Sequence, residues 1–243
     1  MKDYLLDLIQ HTHGLGVVDL VKIVGTDAET LVSAVSDDKT VIVNGTFKAP
    51  IAEFIGTFGM PNLSKLKTIL SFDDYDDTST INVGRGTKED AAAPASIHFE
   101  TKTGDFVNDY RLMAKTLVED KIKKVTFNGA SWDVSFDPST AGIQRLKKQS
   151  SVHSEDLHFK TKTENKNLVV YFGDPSSHSG NFVLQSDVSG SLSRPWNWPV
   201  KVFLAIMDLP GDKTVSFSDQ GVAQIVVDNP ISKYHYYLPA QAK

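Results

Sequence analysis

Residues 198–243 read WPVKVFLAIMDLPGDKTVSFSDQGVAQIVVDNPISKYHYYLPAQAK, and two periodicities meet in them. Over residues 199–208, placed at about 100° per step, apolar side chains cover nearly the whole circumference of a helix and leave one narrow strip of Lys201, Ala205 and Asp208. Pro199 suits the first turn of such a helix, where a missing N–H costs no intrahelical bond. KTVSFSD, VAQIVVD and KYHYYLP then follow as β-branched and aromatic runs separated by Gly, Asp and Asn. Connections this short permit hairpins but not helical crossovers, so these strands are antiparallel.

The same grammar extends upstream. Residues 3–13, 61–70 and 139–151 also break the period of two and place apolar side chains at helical spacing: Leu63, Leu66 and Leu70 in one, Ile143 and Leu146 in another. Pro61 suits a first helical turn, and Asp137 or Ser139 can cap the helix that follows it. Within each half of the chain the two helices start roughly 60 residues apart with strand-forming runs between them, such as KTVIVNGTF, ASIHFE and NLVVYFG. That spacing predicts an α+β protein of two similar domains, each with two helices packed on antiparallel β-sheets. The expected limits are 1–117 and 130–243, joined by a connector at 118–129, because LMAKTLVEDKIKK at residues 112–124 keeps no strand period. A single large β-sandwich carrying decorative helices fits the same pattern.

Composition narrows the class of function. The chain has 243 residues, 40% hydrophobic and 23% charged, which excludes a collagen, a coiled coil and a disordered chain. With no Cys, thiol nucleophiles, disulfides and Cys-ligated zinc or iron–sulfur centres are excluded, which fits a reducing compartment. No secretory leader or bilayer-spanning run is visible, so a soluble, cytoplasmic protein without a membrane partner is expected. The sum of 25 basic and 30 acidic residues is −5, which taken alone argues against nucleic acid. Position argues otherwise. Lys65 and Lys67 flank the polar face formed by Ser64 and Thr68, the third helix turns Arg145 and Lys148 outward with Lys147 at the edge and contains no acid, and the acids gather elsewhere, as at Asp73, Asp74, Asp76 and Asp77.

Catalytic signatures are missing. The sequence has no phosphate-cradling Gly-rich motif, no H-E-x-x-H and no G-x-S-x-G. Gly84-Arg85-Gly86 reads as a turn, and the Asp73 to Asp77 cluster as a solvated loop lacking the Gly and bidentate Glu of an EF-hand. His11 and His13 stand two apart and share no helix face, so a frayed helix end is expected there rather than a metal site. The expectation is a protein with no catalytic residues, no cofactor and no metal. A triad assembled from distant Ser, His and Asp residues on a β-scaffold is the enzymatic alternative.

On these residues the chain resembles a known family. Residues 198–243 are similar to the end of a DNA sliding clamp, with a helix carrying one outward Lys, three antiparallel strands and a Tyr-Tyr-Leu terminus beside a Pro. ASWDVSFDPSTAGIQRLKKQSSVHSEDLHFKTK resembles the strand, basic helix and strand that open a clamp's last domain, and GTFKAPIAEFIGTFGMPNLSKLKTIL the middle of its first. The length matches the two-domain clamps of T4-like bacteriophages, which have the PCNA-like fold and close as homotrimers.

The resemblance implies a non-enzymatic processivity factor for DNA replication. It would encircle double-stranded DNA without reading its sequence, be loaded by an ATP-dependent clamp loader, and tether the replicative DNA polymerase in the cytoplasm, the host's if the source is a phage. Implied DNA-binding residues on the pore helices are Lys65, Lys67, Arg145, Lys147, Lys148 and Lys201, while the first helix offers Asp3, Asp7 and Gln10 outward and little positive charge. The implied subunit interface pairs residues 105–112 with residues 181–186 of the next copy, involving Tyr110, Leu112, Phe182 and Leu184. A groove for partner peptides would use Leu117, Val118, Tyr237, Leu238, Pro239 and Ala240, although Leu117 and Val118 read equally well as interdomain core. The alternative function is a β-rich, ring-forming phage tail or baseplate protein, which has no reason to keep acids off its helices.

Overall fold

The computed structural model describes residues 1–86, 93–123 and 129–241. The expected connector at 118–129 lies partly outside the described residues. By internal contacts the chain divides into two units: Met1–Asp37 with Val43–Thr126 and Pro230–Tyr234, and Asp38–Ile42 with Phe127–Asn229 and His235–Lys243.

The first unit contains α1 (Lys2–His11), β1 (Leu20–Gly25), β2 (Thr30–Val35), β3 (Ile42–Phe47), β4 (Gly56–Pro61), α2 (Leu63–Leu70), β5 (Thr80–Arg85), β6 (Pro94–Glu100), β7 (Val107–Arg111), β8 (Met113–Ala114) and the short α3 (Lys115–Lys121). The second contains β9 (Val134–Phe136), α4 (Thr140–Val152), β10 (His158–Glu164), β11 (Asn167–Gly173), β12 (Ser179–Gln185), β13 (Trp196–Pro199), α5 (Val200–Met207), β14 (Asp212–Ser218), β15 (Val222–Asp228) and most of β16 (Ser232–Pro239).

A repeat is plain in this order. From α1 and from α4 alike, the chain runs helix, three strands, a fourth strand, helix, three strands. The sheets repeat as well. In the first unit β4 lies on one side of β1, with β2 and then β3 on the other; in the second, β13 lies on one side of β10, with β11 and then β12 on the other. The three strands that follow the second helix of each repeat also lie in sequence order, β5-β6-β7 and β14-β15-β16. The pairings with resolved register are antiparallel, as short connections require.

Each helix pair covers its unit's core. Leu5 and Leu8 of α1 and Leu63 and Leu66 of α2 are completely buried, as are Val21 and Ile23, the inward residues of β1. In the second unit Phe203 of α5 meets Phe159 of β10 edge-on, with ring centroids 5.0 Å apart, and the buried Trp198 indole donates to Thr161 Oγ1 at 2.8 Å. Each such aromatic contributes about 1.5–3 kcal/mol by burial, and the indole bond removes the penalty of an unpaired donor.

Helix starts differ from expectation in an informative way. Pro61 and Pro199 close strands β4 and β13 and do not occupy the first helical turn; a Pro is tolerated at a strand end, where its missing N–H breaks no ladder bond. Asn62 takes the left-handed conformation (φ 54°) before α2, whose first amides are satisfied by Asp19: Leu63 N–H by its carbonyl at 3.3 Å and Ser64 N–H by its carboxylate at 3.2 Å. For α4 the cap is Ser139, whose Oγ accepts from Gly142 N–H at 3.1 Å, while Asp137 accepts from Thr214 instead.

Candidate nucleic-acid interface

The apolar stripe that buries each helix also fixes what it exposes. In α2, burial of Leu63, Leu66 and Leu70 leaves Ser64, Lys65, Lys67 and Thr68 exposed on the opposite side. Lys65 and Lys67 have no ion-pair partner among the described residues. In α4, burial of Gly142 and Leu146 leaves Arg145 and Lys148 exposed and Lys147 half-buried. In α5 only Lys201 and Asp208 are fully exposed, with Leu204 and Ala205 half-buried between them. The first unit pairs α1 with α2 and the second pairs α4 with α5, so each presents a two-helix layer to one side.

These cations are held differently. Arg145 lies along β12, its Nη1 donating to the Val183 carbonyl at 3.5 Å. Lys147 forms an ion pair with Asp208 at the end of α5. Lys148 and Lys201 make no ion pair among the described residues. A row of Lys and Arg held at helical spacing attracts phosphates without reading bases.

The first helix departs from its sequence reading. Asp7 is buried, not outward, and Leu6 takes its place beside Asp3 and Gln10. The segment after it is also not frayed. His11 and Thr12 have no exposed surface, the His11 ring stacks on Tyr234 at 4.5 Å, and Thr12 Oγ1 donates to the Leu8 carbonyl. Sequence spacing could not find the Tyr234 ring, because it comes from β16, more than 200 residues away. His13 turns to the Val18 carbonyl (3.1 Å), and no metal-holding group of three or more His, Asp or Glu occurs among the described residues. Arg85, read as part of a turn, ends β5 and ties the carbonyls of Ala52, Glu53 and Ile55.

β7 and β12 are each the last strand of their sheet. Tyr110 of β7 and Leu184 of β12 point into their own units, at 4% and 5% exposure, and the Tyr110 hydroxyl donates to the Pro61 carbonyl. Burial pushes that phenol's pKa well above its ordinary value. Leu112 and Phe182 are half-buried, and Val107, Asp109, Arg111 and Asn181 face outward. On the outer face of β6, His98 lies between Asp109 Oδ1 (2.9 Å) and Glu100 Oε2 (3.4 Å).

Of the residues expected in a peptide groove, Leu117 is exposed and Val118 is completely buried against Gly59 in the first unit. In the second, Leu238 is buried, Tyr237, Pro239 and Ala240 are half-buried, and the Ala240 amide donates to the Gly221 carbonyl at 2.9 Å.

No family model and no curated protein matches this sequence. Among solved structures the chain is similar to one described as the C-terminal region of FEN-1 bound to A. fulgidus PCNA, with TM-score 0.70 and 9% identity over 98% of this chain and 96% of that one. At that identity the likeness defines the fold, and the fold is the PCNA clamp fold. It extends over both units and lends no support to a tail or baseplate protein.

Proposed function

We propose that this protein is a sliding clamp of the two-domain phage type: a homotrimeric ring that encircles duplex DNA and gives a replicative polymerase its processivity. The reading rests on one observation above others. In a chain of net charge −5, on a PCNA-like fold, the helices α2, α4 and α5 carry Lys65, Lys67, Arg145, Lys147, Lys148 and Lys201 on their uncovered faces. Such contacts are individually weak and salt-sensitive, which suits a protein that must slide; topology then retains it on DNA. An acidic remainder disfavours DNA on the outside.

The free sheet edges support ring closure. β7 and β12 each end their sheet, and neither has a neighbour on its outer side among the described residues. Pairing β7 of one copy with β12 of the next supplies that neighbour and removes both edges. A head-to-tail contact of this kind builds a closed ring when its rotation divides a full turn. On this reading the chain is an ATP-driven loader's cargo, its domains are 1–117 and 130–243 with a connector between, and Leu117, Tyr237, Pro239 and Ala240 supply apolar anchorage for partner peptides.

The test is retention on DNA. Protein loaded on a circular duplex should stay bound at high salt and be lost quickly once the circle is cut; equal retention on linear and circular DNA removes the topological mechanism. R145A/K148A should lower loading and polymerase stimulation while leaving the oligomer intact.

A further inference from the structure

Asp208 is the one acid on the exposed strip of α5, and its carboxylate is paired with Lys147 of α4. Its position is unfavourable for the helix itself. Asp208 is the C-cap residue of α5, its amide bonded to the Leu204 carbonyl at 3.0 Å, so a negative charge stands at the negative end of the helix dipole. The nearby Lys213 does not neutralise it by contact, because its ammonium is turned to the carbonyls of Leu209 and Gly211 at 2.5 and 3.1 Å. The carboxylate thus finds its cation across the helix pair, in a Lys that would otherwise stand with Arg145 and Lys148.

We propose that Asp208 is an internal competitor for phosphate: it occupies Lys147 in free protein and trades it with the DNA backbone during sliding, which holds down the duplex affinity of α4 and α5. The inference rests on the reading of these helices as the DNA-facing surface. The pair is more than one-third exposed on both sides (37% and 56%), so water and salt weaken it and exchange with a passing phosphate is easy. A Lys wholly free would bind phosphate more persistently; a Lys removed would leave a bare carboxylate facing the backbone.

The experiment compares wild type, D208N, K147Q, K147Q/D208N and R145A/K148A for binding to a short linear duplex by fluorescence anisotropy across a salt series. Thermal unfolding midpoints confirm that each variant is folded. D208N should bind several-fold more tightly, with the slope of log K against log salt steepened by up to about 0.9. K147Q should bind more weakly, and K147Q/D208N should return close to wild type because both members of the pair are gone. If D208N leaves affinity and slope unchanged while R145A/K148A loses affinity, the competitor role is wrong and the DNA-facing reading stands. If R145A/K148A also binds as wild type, the DNA-facing reading itself falls. If K147Q/D208N binds as tightly as D208N alone, Lys147 is not the cation released and the proposal fails.

Discussion

Ser232 Oγ donates to the Asp7 carboxylate at 2.7 Å across 225 positions of sequence. Both residues are buried, the other Asp7 oxygen lies 3.7 Å from His11 Nε2, and the His11 ring is stacked on Tyr234. The start of β16 is thereby fastened to α1 within one unit. Because a hydrogen bond to a charged group contributes about 1.5–3 kcal/mol, D7A should destabilise by about 2–3 kcal/mol and S232A by about 1–2 kcal/mol. Urea unfolding followed by near-UV circular dichroism measures both. A change below about 0.5 kcal/mol for D7A would mean that the bond is not maintained in solution.

His98 should titrate above its ordinary value of 6.5, chiefly through its hydrogen bond to Asp109 and secondarily through Glu100, with partial desolvation opposing. A His whose folded pKa is raised stabilises the fold fully below its unfolded pKa, and that contribution is lost as pH rises through the folded value. Stability should therefore fall over the window that begins near pH 6.5 and ends at the raised value. D109N should narrow this window and H98Q should abolish it. Imidazole proton shifts followed by NMR against pH give the value directly; a midpoint at or below 6.5 would contradict the bridge to Asp109.

Gly142 should resist even the smallest enlargement. A Cβ at this position of α4 would stand 2.8 Å from the Leu184 carbonyl and 3.3 Å from the capping Ser139 Oγ. The helix lies this close to β12 because there is no side chain between them. Although Ala is the better helix former, G142A should destabilise by about 1–3 kcal/mol, since overpacking against backbone outweighs propensity. By comparison S139A, which removes only the cap, should cost about 1 kcal/mol. Paired denaturant curves decide the order; a stabilised G142A would mean that α4 stands off the sheet.

These positions also show where sequence reading reached and where it stopped. The four long helices were legible because each carries its own evidence: Leu63, Leu66 and Leu70 are all buried, as the spacing demands. The repeat was legible as spacing. Its counterpart strands β4 and β13 were not, because Gly56, Gly59 and Pro61, and Asn197 and Pro199, are poor strand formers that pair only because β1 and β10 lie beside them. α3 escaped because a seven-residue helix burying Val118 has too little periodicity. Helical spacing puts Asp7 on the outward face with Asp3 and Gln10, and its partner Ser232 is invisible to local pattern. The basic residues of the candidate interface were found from placement, but the pairing of Lys147 with Asp208 joins two helices and needed coordinates.

The free edge of β7 gives the last prediction. Val107 is 45% exposed at the start of that strand, beside Phe106 at 37%, whose ring stacks on Tyr75 at 5.3 Å. An apolar residue at the outer edge of a sheet is an invitation to strand pairing unless it is covered. If β7 joins β12 of another copy, V107D places a second carboxylate two residues from Asp109 and must desolvate it at the new junction, so association should weaken strongly while the isolated chain remains folded. N181D, on the opposing strand β12, should weaken it as well, and V107D with N181K should recover part of the loss through an opposite-charge pair. Sedimentation velocity over a concentration series reads the result. Wild type should sediment as a multiple of the 26.7 kDa chain, and V107D should shift toward the single chain with an unchanged far-UV spectrum. An assembly indifferent to all three variants would place the contact between copies elsewhere than on β7 and β12.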